Sequence, residues 1–250
     1  MYVIKPYITA IAKDFWTKTG LKTKQPRDIS GAVNLVLPID IINLSELSIK
    51  KVVQWLNERS ITFHLDVEDR NLHGFVLTYR GSGFIFINGT DPENERRYTI
   101  AHEASHFILD YKLPREKVIE KLGYQITEVL DGRRSPTIEE RIDGLLSSVR
   151  VQPFTHLLEK VGDGSFNYVE ILNSENDADA LALELLAPNS NVIKDTKSTR
   201  NKISFSDFQE ISYQILIEKY SIPEVIAKEY SLRLAYLATG GPSLLNKLGF

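Results

Sequence analysis

The feature that most constrains this chain is the stretch RRYTIAHEASHFILDY, residues 96–111, which contains the pattern H-E-x-x-H at His102, Glu103 and His106. An α-helix has about 3.6 residues per turn, so the two histidines lie on one face and offer a metal two nitrogen ligands. Glu103 lies at the edge of that face, where it can take a proton from water but is poorly placed to bind the metal. The stretch therefore predicts a helix that carries two metal ligands and one general base.

The residues around this motif are typical of a buried helix. Small side chains leave room for a metal ion, and large apolar side chains give the helix an apolar side; the small ones are Ala101, Ala104 and Ser105, and the large ones Ile100, Phe107 and Ile108. The alternative is a core helix whose two histidines are satisfied by ordinary hydrogen bonds. A third ligand elsewhere in the chain favours the metal site over that alternative.

The segment ENDADALALELLAP, residues 175–188, supplies the candidates for the third ligand. A catalytic zinc site has three protein ligands plus water, and Glu175 and Asp179 lie one helical turn apart on one face. Ser174 and Asp177 have the spacing of a capping box, which gives Asp177 a structural role at the start of a helix. We therefore predict Glu175 as the ligand and Asp179 as the hydrogen-bond partner of a zinc histidine. The alternative is a solvated acidic face.

Composition limits the kind of protein and the ligands that are available. The chain has 250 residues, 42% of them hydrophobic and 25% charged, which suffices for one elaborated domain or two small ones. It has no cysteine, so a metal site must use His, Asp and Glu. The net charge of -3 argues against general nucleic-acid binding. Without a membrane-length apolar run or a signal-peptide pattern, we expect a cytoplasmic protein with no membrane partner.

Hydrophobic periodicity predicts an α+β fold that is mostly helical, with a small antiparallel sheet packed on the H-E-x-x-H helix. The strand at residues 83–88 is expected to offer a free backbone edge to an extended peptide, which makes Phe84, Phe86 and Asn88 substrate-binding candidates. The predicted helices are residues 4–19, 45–59, 115–122, 137–148, 174–186, 205–220 and 224–237, and the predicted strands are residues 61–67, 75–79 and 84–88.

The three remaining histidines carry less information. His64 lies on the polar side of a predicted strand and His73 in a predicted turn, so both are interpreted as surface residues. His156 is either a solvated helix residue or a group that polarises a substrate carbonyl. Three residues are equal candidates for stabilising an oxyanion: Tyr98, His156 and Tyr168.

The chain resembles a known family over residues 45–188. The segment GFIFING followed by ERRYTIAHEASHFIL, and then the pattern E-x-x-A-D-x-x-A-x-E-L-L-A-P, is similar to the ImmA/IrrE family of cytoplasmic zinc metallopeptidases, which are gluzincin-like. The resemblance implies that His102, His106 and Glu175 bind one zinc ion per chain, or a related ion such as Mn²⁺. It also implies that Glu103 is the catalytic acid and base. Asp179 stands where the family usually has Asn or Asp.

Two departures from the family pattern bear on the organisation of the chain. Ala104 and Ser105 replace a commoner Leu-Gly pair, and the spacer from His106 to Glu175 is long, at 175 − 106 = 69 positions. The long spacer predicts a helical insertion near residues 114–168 of a metallopeptidase core at 45–190. Helical parts at 1–44 and 191–250 flank that core.

The resemblance also implies a function. Members of this family act on transcriptional repressors in bacteria and phages, so we expect an endopeptidase that cleaves a helix-turn-helix repressor in a stress, phage or mobile-element circuit. The alternative is a metal-binding regulator that binds a partner without turnover. Residues 205–237 are expected to form a helix-turn-helix that packs or binds a protein rather than DNA, because their basic residues are balanced by acidic ones.

Overall fold

The computed structural model describes residues 5–22, 24–61, 68–147, 149, 168–199 and 203–242. Its first half contains helices α1 (Pro6–Thr19), α2 (Ile29–Val36) and α3 (Ile49–Asn57) and strands β1 (Ile39–Leu44), β2 (Gly74–Tyr79) and β3 (Ser82–Asn88). Helix α4 (Glu93–His106) continues into a π-helix (Phe107–Lys112) and then into α5 (Leu113–Leu122). A 3₁₀ turn (Tyr124–Ile126), α6 (Thr127–Leu130), α7 (Ile138–Leu146), α8 (Tyr168–Leu186), α9 (Asn189–Lys197), α10 (Phe205–Glu218) and α11 (Glu224–Thr239) follow. The predicted α+β class is confirmed.

The sheet is mixed rather than purely antiparallel. Strands β2 and β3 form the predicted hairpin, closed by Arg80 and Gly81, whose φ angles of 49° and 88° are those of a tight type I′ turn. Strand β1 lies parallel to β3, so the strand order is β1-β3-β2. The sequence pattern alone does not assign β1, because periodicity cannot distinguish a short apolar run in a strand from one in a helix.

Strand β3 is the central strand, and the prediction that it offers a free edge is wrong. Phe84, for example, pairs with Asp40 of β1 on one side and with Leu77 of β2 on the other. Both rows of backbone groups on β3 are therefore used within the sheet. Main-chain pairing with a peptide requires an edge strand.

One face of the sheet packs against α3. Trp55 of α3 makes edge-to-face contacts with Phe84 and Phe86, at ring-centroid distances of 5.5 and 5.2 Å. A buried cluster surrounds this contact, formed by Leu47, Val52, Leu56, Leu77 and Phe86. The π-helix also meets the sheet closely, since a Cβ atom at Gly83 would lie 2.9 Å from the Phe107 ring. Glycine is therefore the residue that permits this approach.

The chain divides into two compact units, each of which packs mainly on itself. Unit 1 comprises Met1–Ala32, Pro92–Ala101 and Ala180–Phe250, and unit 2 comprises Val33–Asp91 and His102–Asp179. Both units are discontinuous in sequence. The division into parts at 1–44, 45–190 and 191–250 stays a prediction. None of the helices in the described part of the chain combines the length and apolarity that a membrane span requires.

In unit 1, the carboxyl end of α8 is held by side chains from distant parts of the chain. The carbonyl of Leu185 accepts hydrogen bonds from Trp16 Nε1 at 3.0 Å and from Arg27 Nη1 at 2.9 Å. The Tyr230 hydroxyl donates to the carbonyl of Ala187 at 3.0 Å. These bonds satisfy carbonyls that have no partner inside the helix. The Arg27 guanidinium also places positive charge at the negative end of the helix dipole.

Helix α8 begins six residues earlier than predicted. It starts at Tyr168, so Ser174 lies inside the helix and cannot act as its N-cap. The proposed capping role of Asp177 is therefore wrong. The spacing typical of a helix cap occurs here within a segment that is already helical. The predicted strand at residues 61–67 lies, apart from Ile61, outside the described residues.

Helix α7 generates a prediction about its first turn. The Thr137 hydroxyl accepts from the Glu140 N–H at 3.1 Å, and the Glu140 carboxylate accepts from the Thr137 N–H at 2.8 Å, which is a complete capping box. We expect Thr137→Ala to lower the free energy of opening of α7 by about 1 kcal/mol, so that its amides exchange faster. Hydrogen exchange of the α7 amides measures this, with Thr9→Ala on α1 as the control. An unchanged exchange rate in Thr137→Ala contradicts the assignment.

The same capping box predicts a pH dependence. Hydrogen bonds from Arg134 and then from the Thr137 N–H lower the pKa of Glu140 to about 2. A lowered carboxyl pKa contributes stability that is present above the unfolded value of about 4.3 and is lost as the pH falls through the folded value. The difference in α7 protection between wild type and Glu140→Gln should therefore be present at neutral pH and vanish near pH 2. A difference that persists in acid contradicts this account.

Candidate metal centre

Helix α4 brings the two histidines of the motif together. Glu93 and Glu95 lie in its first turn, where negative charge complements the helix dipole. At its other end the Nε2 atoms of His102 and His106 lie 3.1 Å apart. His102 is half-buried and His106 is buried. The predicted helix thus places one nitrogen of each imidazole close enough to the other for both to bind the same ion.

Glu175 of α8 completes a three-donor group with the histidines. Its Oε2 atom lies 3.4 Å from His102 Nε2 and 3.6 Å from His106 Nε2. A tetrahedral zinc ion with bonds of about 2.0–2.1 Å requires its ligand atoms to lie about 3.3 Å apart. The donor atoms and their spacings therefore fit a zinc ion, and His102, His106 and Glu175 form a group that can hold a metal.

Each histidine uses its second nitrogen to contact a carboxylate. His102 Nδ1 lies 3.0 Å from Asp179 Oδ1, and His106 Nδ1 lies 2.7 Å from Asp110 Oδ2. A carboxylate in this position holds the proton on Nδ1, so the lone pair of Nε2 faces the metal position. Asp179 makes the contact that the sequence predicted for it. Asp110 is a residue that sequence analysis missed.

The sequence did contain a signal for Asp110. It is an acidic residue in an otherwise largely apolar run and follows His106 by four positions. That spacing places it one helical turn beyond the second histidine. A carboxylate one turn from a candidate ligand is a reasonable partner for the free nitrogen of that ligand.

The carboxylates of Asp110, Glu175 and Asp179 stabilise positive charge at the two histidines. Burial lowers the pKa of His102, but hydrogen bonds with Asp179 and Glu175 outweigh it and raise the pKa to about 10. Burial likewise lowers the pKa of His106, whereas Asp110 and Glu175 raise it to about 9. The same contacts with His102 and His106 hold the pKa of Glu175 well below its usual range. The group therefore stabilises a cation, and a metal that binds there displaces protons.

Glu103 is held outside the three-donor group. Burial raises the pKa of its carboxyl, although His102 and His106 lower it. The carboxylate also accepts a hydrogen bond from the backbone N–H of Val76 in strand β2. A half-buried carboxyl with a raised pKa can both accept and return a proton.

The predicted substrate-binding residues have structural contacts, and their role in binding substrate stays a prediction. Phe86 is fully buried in the α3 cluster, and Phe84 packs beside it. Asn88 donates from Nδ2 to Asp91 at 2.8 Å and accepts from the Thr90 hydroxyl at 2.9 Å, so it stabilises the turn before α4. Because β3 has no free edge, the reason for assigning these three residues to substrate no longer holds.

The other candidates are distributed as follows. His73 is exposed and lies 2.8 Å from Asp91, which confirms its interpretation as a surface residue. Tyr98 is half-buried on α4, and its role in stabilising an oxyanion stays a prediction. His64, His156 and the side chain of Tyr168 lie outside the described residues.

Comparison with known proteins gives one match. A family model described as the IrrE N-terminal-like domain (Peptidase_M78) matches residues 59–129, which include α4 and Asp110 but not Glu175. Searches of curated proteins and of solved structures found no significant match. The family supports a function of the metallopeptidase type. With H-E-x-x-H in the expected helix inside the matched region, this match supports the ImmA/IrrE family for the chain.

Proposed function

We propose that this protein is a zinc-dependent endopeptidase that cleaves a helix-turn-helix transcriptional repressor. One observation carries the catalytic part of the proposal. The Nε2 atoms of His102 and His106 lie 3.1 Å apart, and Glu175 Oε2 lies 3.4 and 3.6 Å from them. A fourth side chain, Glu103, is held beside this group by a hydrogen bond from a backbone N–H. A protein that only stored a metal would need the three donors but not the separate carboxyl.

The chemistry follows from the arrangement of these side chains. A divalent metal in such a site supplies Lewis-acid activation of water and of a peptide carbonyl. His102, His106 and Glu175 are the residues that would hold it. Glu103 takes a proton from the attacking water and passes it to the leaving amine, which needs a carboxyl that can exist in both states near neutral pH. The Val76 N–H fixes the carboxyl during both transfers.

The exposure of these side chains indicates where a peptide approaches. The Glu175 side chain is 51% exposed and that of Asp179 is 40% exposed, whereas that of His106 is 5% exposed. Substrate therefore approaches from the side of α8. Leu172 lies one helical turn before Glu175, and Val169 one turn before that, and both are exposed apolar residues. We infer that they contact an apolar side chain of the substrate beside the scissile bond.

The first test concerns the metal. Purified protein should contain about one zinc per chain, and His102→Ala and Glu175→Ala should each lose it, because each removes one of three donors. Asp177→Ala, another acidic residue of α8, is the control and should retain it. Elemental analysis after dialysis measures the content. Full occupancy in both ligand variants would show that the ligand set is wrong.

The second test separates an enzyme from a binding protein. Glu103→Gln preserves shape and removes the base, so hydrolysis should fall by roughly 10²–10⁴-fold while folding and metal content are retained. The substrate to test is a helix-turn-helix repressor encoded beside this gene. If wild type and Glu103→Gln bind that repressor equally and neither cleaves it under any metal, a regulatory binding protein replaces the peptidase.

The third test concerns substrate selection. Leu172→Gln should lower kcat/KM for peptides with an apolar residue next to the cleaved bond, because it removes apolar contact area, and should leave metal content unchanged. Hydrolysis of paired peptides that carry Leu or Gln at that position measures the effect. Leu145→Gln, a similarly exposed change on α7, is the control. Equal preference in wild type and Leu172→Gln would remove Leu172 from the substrate site.

A further inference from the structure

The half-buried carboxylate beside His106 is shared with a residue of α8. We propose that Asp110 and Ser174 form a positioning pair that holds His106 for metal binding and thereby sets the metal affinity. The inference rests on the proposed metal site, since it concerns one of its ligands. Neither residue donates an atom to the three-donor group.

The pair is defined by two short hydrogen bonds to one oxygen. Asp110 Oδ2 accepts from His106 Nδ1 at 2.7 Å and from the Ser174 hydroxyl at 2.8 Å. The Ser174 bond restrains rotation of the carboxylate, and the carboxylate fixes the plane and the tautomer of the imidazole. His106 Nε2 is then directed towards Glu175. A bond that orients a ligand raises affinity because less freedom is lost when the metal binds.

The backbone that carries Asp110 is unusual. Residues Phe107–Lys112 form a π-helix directly after His106, and such segments are rare and frequently occur at functional sites. The Tyr111 hydroxyl accepts a hydrogen bond from the Gly81 N–H at 2.7 Å, and the Tyr111 side chain is buried. The turn that presents Asp110 to His106 is thus anchored to the β2–β3 hairpin.

Ser174 also links the ligands to one another. It immediately precedes Glu175, and Asp179 follows four residues after that ligand on the same helix. One stretch of α8 therefore restrains the partner of His106, supplies the third donor and orients His102. A displacement of α8 changes all three contacts together. The position of this helix sets the geometry of the whole group.

The experiment measures zinc affinity by chelator competition in the full-length protein. Asp110→Asn, which keeps the shape of the side chain, should weaken the zinc Kd by about 10–100-fold. Ser174→Ala should weaken it several-fold, and Ser174→Thr, which keeps the hydroxyl, should restore it. Asp143→Asn on α7 and Ser198→Ala after α9 are matched controls that should bind as wild type does. Alanine is a strong helix former, so Ser174→Ala preserves α8.

A second readout reports the geometry directly. The visible d–d spectrum of the Co²⁺-substituted protein should shift in Asp110→Asn and Ser174→Ala and stay unchanged in both controls. If wild type binds one metal and both variants match it in Kd and in spectrum, the pair is merely structural and this inference is overturned, while the proposed function stands. If wild type itself binds no metal, the proposed function fails, and this inference fails with it.

Discussion

The arrangement of this site depends on the pairing of two imidazoles with an excess of carboxylates. His102 and His106 present Nε2 atoms 3.1 Å apart, and carboxylates surround the two rings. Asp110 and Asp179 occupy the outer nitrogens, and Glu175 lies near both inner ones. The pKa values of both rings are raised despite burial, because the carboxylates favour a cation. A divalent metal ion supplies this positive charge at a single position.

The surrounding fold keeps these groups in place through the packing of the sheet against α3 and the π-helix. Helix α3 covers one face of the sheet through Trp55, and the glycine at position 83 lets the sheet approach Phe107 of the π-helix. Strand β2 contributes the Val76 N–H that holds Glu103. The apolar contacts thus fix the backbone, and the polar contacts then need only to orient side chains. Preorganisation of this kind is what both metal affinity and proton transfer require.

Much of this could be predicted from the sequence, because the relevant signals are local. Residues His102, Glu103 and His106 lie on one helix, and the spacing of Glu175 and Asp179 marks a second, so the H-E-x-x-H pattern together with helical spacing brought them into consideration. Whether all three donors ligate a metal stays a prediction, but the distances between them are those that ligation requires. The helices at both ends of the chain were also found from periodicity.

The failures share a physical cause, which is dependence on non-local pairing. The short apolar strand β1 is defined by its partner β3, so nothing in its own six residues distinguished it from a helix, and β3 was therefore mistaken for an edge strand. Asp110 was missed because its role depends on a π-helical turn and on Ser174, which is 64 positions away. The start of α8 was misplaced because a plausible cap spacing also occurs inside a helix.

The most direct test of the central claim is the position of the metal in the zinc-loaded protein. Anomalous diffraction at the zinc absorption edge locates the ion without reference to any activity. We predict one peak within about 2.0–2.2 Å of His102 Nε2, His106 Nε2 and a carboxylate oxygen of Glu175. Asp110 and Asp179 should lie behind the histidines and make no bond to the ion. A peak elsewhere in the molecule, or one coordinated by both histidines without Glu175, would contradict this account.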